Sequence, residues 1–383
     1  MVTVLYWSVM HLMLINSMHN NDRFFTAIRI LKLNMRNLIL CCAVLISACT
    51  DPINFDTGSE QQFLIIDGFI TNEPGPYEIR LYRSASFTSV FEGGQEMPIV
   101  GANVWIRDDQ GLYINLVDNR NGGYLTPVGF RGEVGRTYTL HIITPEGEEY
   151  QSTREKILIP EQISNARFEY GATEVLNSQN RITEIFGLFY IIDSEFEQES
   201  GYYRWDWEGT YIKETTFFDG STLDFCYIDE RASDHVLILD ATQSGEGGIF
   251  DHLVVFHQVD IRYNFGYNIN LRQYTISEDS YNYWKLIDQQ RNRQGSIFDV
   301  SPANIAGNII NVNNADEIIL GRFEAYGASS IRLGVFPDAL PFKPQFRDES
   351  CFPLSPLGEP PPYCFDCALF PGSRPLRPDF WVD

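Results

Sequence analysis

Positive charge is scarce in this chain of 383 residues: 28 lysines and arginines stand against 51 aspartates and glutamates, for a formal net charge of −23. Nucleic-acid binders need a basic face to neutralise phosphates, so the balance argues against nucleic acid as a partner. It also disfavours direct docking on anionic lipid headgroups, and its plainest consequence is solubility. Histidine is sparse too. Beyond residue 48 the histidines are His141, His235, His252 and His257, spread over expected strands. His252 and His257 lie five positions apart, which on a regular strand points them to opposite faces and keeps them from sharing a metal or a proton relay. There is no Gly-x-Ser-x-Gly elbow and no His-Glu-x-x-His pair. Ser244-Gly-Glu-Gly-Gly248 lacks the Lys-Ser/Thr of a phosphate loop and reads as a connection between strands. The acidic pairs Asp108/Asp109 and Glu148/Glu149 fall in turns or on solvated strands, whereas glycoside hydrolysis needs two carboxylates held across a cleft. The expectation is a protein with no catalytic residues, no metal and no cofactor.

Long hydrophobic runs are missing from the body of the chain, where no segment reaches 18 uninterrupted apolar residues. The apolar stretches sit at the beginning. Val2 to Ile15 is shorter than the ~20 residues a spanning helix needs. A second stretch, from Met35 to Asp51, has the parts of an export signal: Arg36 for charge, Leu38 to Ile46 as the apolar run, and Ile46-Ser47-Ala48-Cys49 at its end. That ending resembles the lipobox of bacterial lipoproteins, after which the signal is cut and the cysteine acylated. We therefore expect translation to begin at Met35, with residues 1–34 a mis-annotated upstream stretch, 35–48 a signal peptide and Cys49 the lipidated anchor. Residues 49–62, with Pro52, Asn54 and Gly58, form its tether. Several acyl chains on one cysteine hold a soluble body durably on a membrane. Removing residues 1–48 takes away Arg23, Arg29, Lys32, Arg36 and Asp22, leaving 24 basic against 50 acidic residues.

Four cysteines follow Cys49: Cys226, Cys351, Cys364 and Cys367. An even number in an exported chain suggests two disulfides, with three connectivities open. Cys364-Phe-Asp-Cys367 has the spacing of redox and zinc sites, but it lies in a proline-rich tail rather than between a strand and a helix. Zinc would need two further ligands, and the tail offers only Cys351.

The rest of the chain reads as mainly β. Tyr77, Ile79 and Leu81 alternate with Glu78, Arg80 and Tyr82, and Tyr138, Leu140 and Ile142 alternate with Thr139, His141 and Ile143. Thr144-Pro-Glu-Gly147 then turns the chain into Tyr150 to Thr153. Further strands fit Phe63 to Ile70, Asn103 to Arg107 and Leu112 to Val117. Short strands at this spacing imply an immunoglobulin-like or transthyretin-like sandwich over residues 63–158. A larger antiparallel β domain is expected over 159–336, with strands at Ile185 to Ile192, Gly201 to Glu208, His235 to Leu239, His252 to Arg262, Tyr267 to Ile276, Glu317 to Ala325 and Ser330 to Phe336.

In Gly201-Tyr-Tyr-Arg-Trp-Asp-Trp-Glu208, the residues Tyr203, Trp205 and Trp207 share one face and Arg204, Asp206 and Glu208 the other. The aromatic face is expected to pack a core; if exposed, it would serve as a platform for a carbohydrate. One segment breaks the β pattern. Ser277 is a plausible cap, Glu278 and Asp279 suit the positive end of a helix, Tyr281, Trp284 and Ile287 fall at helical spacing, and Gly295 stops it. This amphipathic helix near 278–294 is expected to pack on the sandwich, with a partner-binding ridge as the functional alternative. After Phe336 the composition changes, with 11 of the 19 prolines in the last 47 residues. Residues 337–383 cannot form regular ladders and read as a disulfide-stapled, wrapping tail.

Several local sequences together resemble the Bacteroidota lipoproteins grouped as domain of unknown function 4249. They are Cys49-Thr-Asp-Pro52, Leu64-Ile-Ile-Asp-Gly-Phe-Ile-Thr-Asn-Glu-Pro-Gly-Pro-Tyr77, Tyr283-Trp284, Gly295-Ser-Ile-Phe-Asp299, Gly307-Asn-Ile309, Leu320-Gly321, Cys364-Phe-Asp-Cys367 and Arg377-Pro-Asp-Phe-Trp381. The resemblance implies an outer-membrane lipoprotein that accompanies a TonB-dependent transport barrel as a non-enzymatic accessory. A free-standing lipoprotein that binds a glycan or a peptide is the alternative. In that phylum acidic residues after the lipidated cysteine favour display at the cell surface, and Asp51 and Asp56 are a thin version of that pattern. Intact-mass and N-terminal peptide analysis of the membrane-extracted protein should find a chain that begins at an acylated Cys49. A species that retains residues 1–34 would contradict the assigned start.

Overall fold

The computed structural model describes residues 62–84, 97–177, 179–196, 201–216, 222–232, 236–242, 247–291, 305–351 and 360–381. Cys49, the expected signal segment, most of the expected tether, His235 and 295–299 lie outside these. The protein is mainly β, and residues 60–383 form one compact unit. Among the described residues a twelve-stranded sheet backs two smaller ones, of six and three strands. Among the described residues none lies in a helix long and apolar enough to cross a membrane.

Alternation explains how the large sheet serves both smaller ones. Leu64, Ile66 and Ile70 of the strand Leu64–Thr71 point to one side, as do Phe323 and Ala325 of the strand Phe323–Val335. They meet Val104, Ile106, Leu140 and Ile142 from the six-stranded sheet, and this is the first core. Further along the same sheet, Tyr203, Trp205, Ile269 and Leu271 meet Leu188, Tyr190 and Ile192 of the three-stranded sheet, and this is the second. A buried glutamine joins the two layers there. Gln273 accepts from Trp205 Nε1 at 3.1 Å and donates to Ser194 Oγ at 2.9 Å and to the Glu161 carbonyl at 3.0 Å, so its amide is satisfied without water.

The strand Phe323–Val335 pairs with Leu64–Thr71 in parallel and with Tyr267–Ile276 antiparallel, so one strand spans both cores. The expected division near residue 159 falls where the chain leaves the first core for the second, but residues 305–325 return to complete the first. Gly307 and Gly321 make that return fit. A Cβ on either would overlap backbone, of Gly321 and of Ile66 respectively, and Gly321 has φ +81°. Between them Asn308 clamps the next strand, accepting from Phe323 N at 3.0 Å and donating to the Phe323 carbonyl at 2.7 Å. Two short strands were expected between 317 and 336; the second is instead part of a 13-residue strand. Its run Gly-Ala-Ser-Ser, residues 327–330, has no bulky apolar residue to mark it, because the connection at Leu158 to Pro160 crosses directly over Gly327.

The strand Ile163–Leu176 went unrecognised in the sequence pattern. It is an edge strand with many exposed positions, so alternation is weak, and it forms a long hairpin with Ile182–Glu195. The tail behaves as expected of a wrapping segment. Cys226–Cys367 and Cys351–Cys364 are the bridges, so the two halves of the C-x-x-C belong to different disulfides. Ser373–Arg374 adds to the strand Thr222–Arg231, and Trp381 is buried edge-on against Tyr227 at 5.2 Å.

One expectation fails for a clear geometric reason. His252 and His257 both turn into the second core, because the ladder between Ile182–Glu195 and Gly248–Gln258 slips by one residue at Tyr190/Ile191. Such a bulge reverses the parity of the positions beyond it. His252 lies 4.1 Å from Trp205 and His257 4.4 Å from Trp207, ring centre to ring centre. Burial, then the charge of Arg262, pushes the His257 pKa down to about 3. Below the unfolded value of 6.5 the unfolded chain takes up a proton that the native one refuses, so stability falls as pH drops from 6.5 towards 3. In denaturant unfolding, His257→Phe should gain on the wild type by roughly 2.5 kcal/mol between pH 7.5 and pH 4.5. A difference that stays constant with pH would contradict this assignment.

Candidate functional site

The aromatic row in the strand Tyr202–Thr216 faces inward. Tyr203 and Trp205 are each 1% exposed, and Trp207 is half-buried against the same core. Trp205 therefore presents no face to a sugar, and the core assignment of these rings holds. The polar face of the same strand looks outward and is far more elaborate than its sequence suggested.

Arg204 stands on the large sheet with its guanidinium 3.9 Å from the Trp284 ring centre. It donates to Tyr326 OH at 3.3 Å. Burial would lower its pKa, but Tyr326, Asp206 and Glu324 outweigh that and raise it. Trp284 Nε1 in turn donates to Glu324 at 3.0 Å and to Tyr326 OH at 3.2 Å, and Ser280 Oγ hydrogen-bonds the same carboxylate. Glu324 thus pins the helix Glu278–Arg291 to the sheet. Tyr281 stacks on Tyr202 at 4.9 Å, and Ile287 is half-buried. Of the expected helical ridge, Tyr281 and Trp284 are spent on the protein's own sheet, while Leu286 is exposed.

Beside this network opens a cleft of about 580 Å³, lined among others by Asp67, Glu73, Tyr77, Arg231, Arg272 and Tyr274. Arg272 is its hub, 2.7 Å from Glu208, 3.8 Å from Glu73 and 4.0 Å from Asp206. Burial alone would raise the pKa of Glu208, but the hydrogen bond and charge of Arg272 hold it below the usual carboxylate range. Asp206 goes the other way: burial dominates and raises it, despite Arg204 and Arg272. Asp67 reaches solvent at the mouth, yet protein surrounds most of it, and this desolvation raises its pKa against the pull of Arg204. The cleft is a charge-alternating surface suited to holding a polar ligand. Among the described residues no group of three or more His, Cys, Asp or Glu side chains is placed to hold a metal.

A second surface lies where the tail meets the long hairpin. Tyr170 and Phe186, exposed by 37% and 50%, stack at 6.1 Å, and Phe342 meets Tyr170 edge-on at 5.6 Å. Phe342 is 38% and its neighbour Phe346 40% exposed. Leu176 and Ile182, exposed by 68% and 69%, sit at the hairpin tip, separated from this cluster by the paired and exposed Glu174 and Glu184. The cluster is held in place, because Asn264 donates to the Phe346 carbonyl at 2.7 Å and accepts from its N–H at 2.9 Å. A contiguous exposed patch of large apolar side chains marks an interaction site more than a scatter of single residues does. Sequence patterning pointed to the tail but missed the hairpin, since exposure of Tyr170 and Phe186 depends on how far the hairpin projects beyond the second core.

No curated protein matches this chain. Residues 50–332 match the family described as Domain of unknown function (DUF4249), a span that contains the sheet network, the cleft and the hairpin and stops before the tail. The chain belongs to that family.

Proposed function

We propose that this protein is an outer-membrane lipoprotein of the Bacteroidota type, anchored through Cys49, that acts by binding and not by catalysis, as the accessory of a TonB-dependent transport barrel. The aromatic patch formed by Tyr170, Phe186, Phe342 and Phe346 carries this reading. It is pre-ordered, exposed and apolar, as a protein-docking surface must be, and it stands on a body that is otherwise strongly acidic. A lipid anchor would confine that body to the membrane surface, where a barrel is within reach of even a weak docking patch. Free-standing binding of a glycan or peptide is the second reading, favoured by the polar cleft, whose volume falls in the range of small-ligand sites.

Purification of the tagged lipoprotein from gently solubilised outer membranes should bring down a transport barrel in one-to-one yield. The double variant F186E/F342E, at two exposed positions, should lose the barrel and keep its melting temperature. Recovery of the wild type as a clean monomer would overturn the accessory reading.

A further inference from the structure

The solvent face of the six-stranded sheet carries a groove of about 350 Å³ that no role so far accounts for. Its floor is the outward row of the strand Thr137–Ile143, namely Thr137, Thr139 and His141. Gln151 and Arg154 flank it on one side and Arg107 on the other. Cross-strand pairing aligns Asn115, Trp105, His141 and Gln151 in one line across the sheet. Trp105 and His141 lie parallel to within 4°, ring centres 5.2 Å apart, so the imidazole wall of the groove is backed by the indole.

The charge of the groove runs against that of the protein. Arg107 and Arg154 are exposed, and neither has a carboxylate partner among the described residues; Arg107 only leans over Tyr113 at 5.3 Å. The neighbouring Asp108 is turned inward. Its side chain is fully buried, ion-paired with Arg136, and accepts from Leu112 N at 2.7 Å and Gln110 N at 3.0 Å. Among the described residues that line the groove, Asp109 at the rim is the exposed carboxylate that opposes the two guanidiniums. Burial, then Arg107, keeps the His141 imidazole neutral at pH 7, so its ring face stays uncharged.

We infer that this groove binds an acidic saccharide, a uronate-bearing glycan of one to three sugar rings. Arg107 and Arg154 would hold the sugar carboxylate, since a guanidinium matches a carboxylate with two parallel hydrogen bonds. Thr137, Thr139 and Gln151 supply donors and acceptors for ring hydroxyls, and the flat His141 wall takes the apolar face of a sugar. The acidic body as a whole repels dense polyanions, which separates this ligand from nucleic acid. The inference does not depend on the barrel, because groove and aromatic patch lie on different sheets.

The test is calorimetry on the purified, detergent-solubilised protein with trisaccharides of galacturonate, glucuronate and mannuronate. The controls are a neutral trisaccharide, inorganic sulfate and a short single-stranded DNA. At least one uronate should bind, the neutral sugar at least tenfold more weakly, and R107A/R154A should lose at least tenfold in affinity with an unchanged melting temperature. H141A should weaken the saccharide but leave sulfate unaffected. Failure of all three uronates to bind, equal binding by the double variant, or sulfate or DNA binding as tightly as the sugar would overturn the inference. None of these outcomes bears on whether a barrel co-purifies.

Discussion

The architecture depends on one strand being shared. Phe323–Val335 sits at the centre of the large sheet, with the first strand of the body on one side and Tyr267–Ile276 on the other. Its odd-numbered side chains feed both cores, Phe323 and Ala325 the first, Ile331, Leu333 and Val335 the second. The connecting segment that carries the chain from one core to the other must cross this strand, and Gly327 provides the space. The parallel pairing to Leu64–Thr71 is the more distant in sequence, and the Gly307/Gly321 contact with the Asn308 clamp holds it in register.

The two faces of the large sheet solve different problems. One face is apolar and is covered by the smaller sheets. The other carries Arg204, Asp206, Glu208, Arg272, Glu324 and Tyr326, a set of charges too closely spaced to be left to water alone. Guanidiniums alternate with carboxylates there, tyrosine hydroxyls and the Trp284 indole add hydrogen bonds, and the helix lies over part of the network. Charges held this way cost desolvation and repay it mainly in fixed geometry. That makes the exposed remainder of the network, the cleft, a preformed surface that binding need not order.

Much of this was legible in the sequence. Period-2 alternation located Leu64–Thr71, Glu78–Arg83, Asn103–Asp108, Thr137–Ile143 and Tyr267–Ile276 to within one or two residues, but it missed Ile163–Leu176 and Thr222–Arg231 and cut Tyr202–Thr216 short; the cap at Ser277 with Tyr281 and Trp284 located the helix. Proline density and cysteine count identified the tail as stapled, though pairing depends on three-dimensional proximity and stayed open. The polar face of Tyr202–Thr216 could be listed but not interpreted, because its partners Arg272, Glu324 and Tyr326 come from strands 60 to 120 positions away. Parity arguments failed at His252 and His257, where a single extra residue in the ladder reverses which side chains face inward. The pairing of Trp105 with His141 was equally invisible, since register across neighbouring strands is not written in either strand alone.

Binding surfaces set on one cooperative body would respond together, and the shared strand makes cooperativity the central claim. Hydrogen exchange read by mass spectrometry across a denaturant series tests it most directly. Peptides covering Thr137–Ile143, in the first core, and Tyr267–Ile276, in the second, should lose protection at the same denaturant concentration, in one transition. Two separate midpoints would mean that the cores fold independently, and would contradict the account.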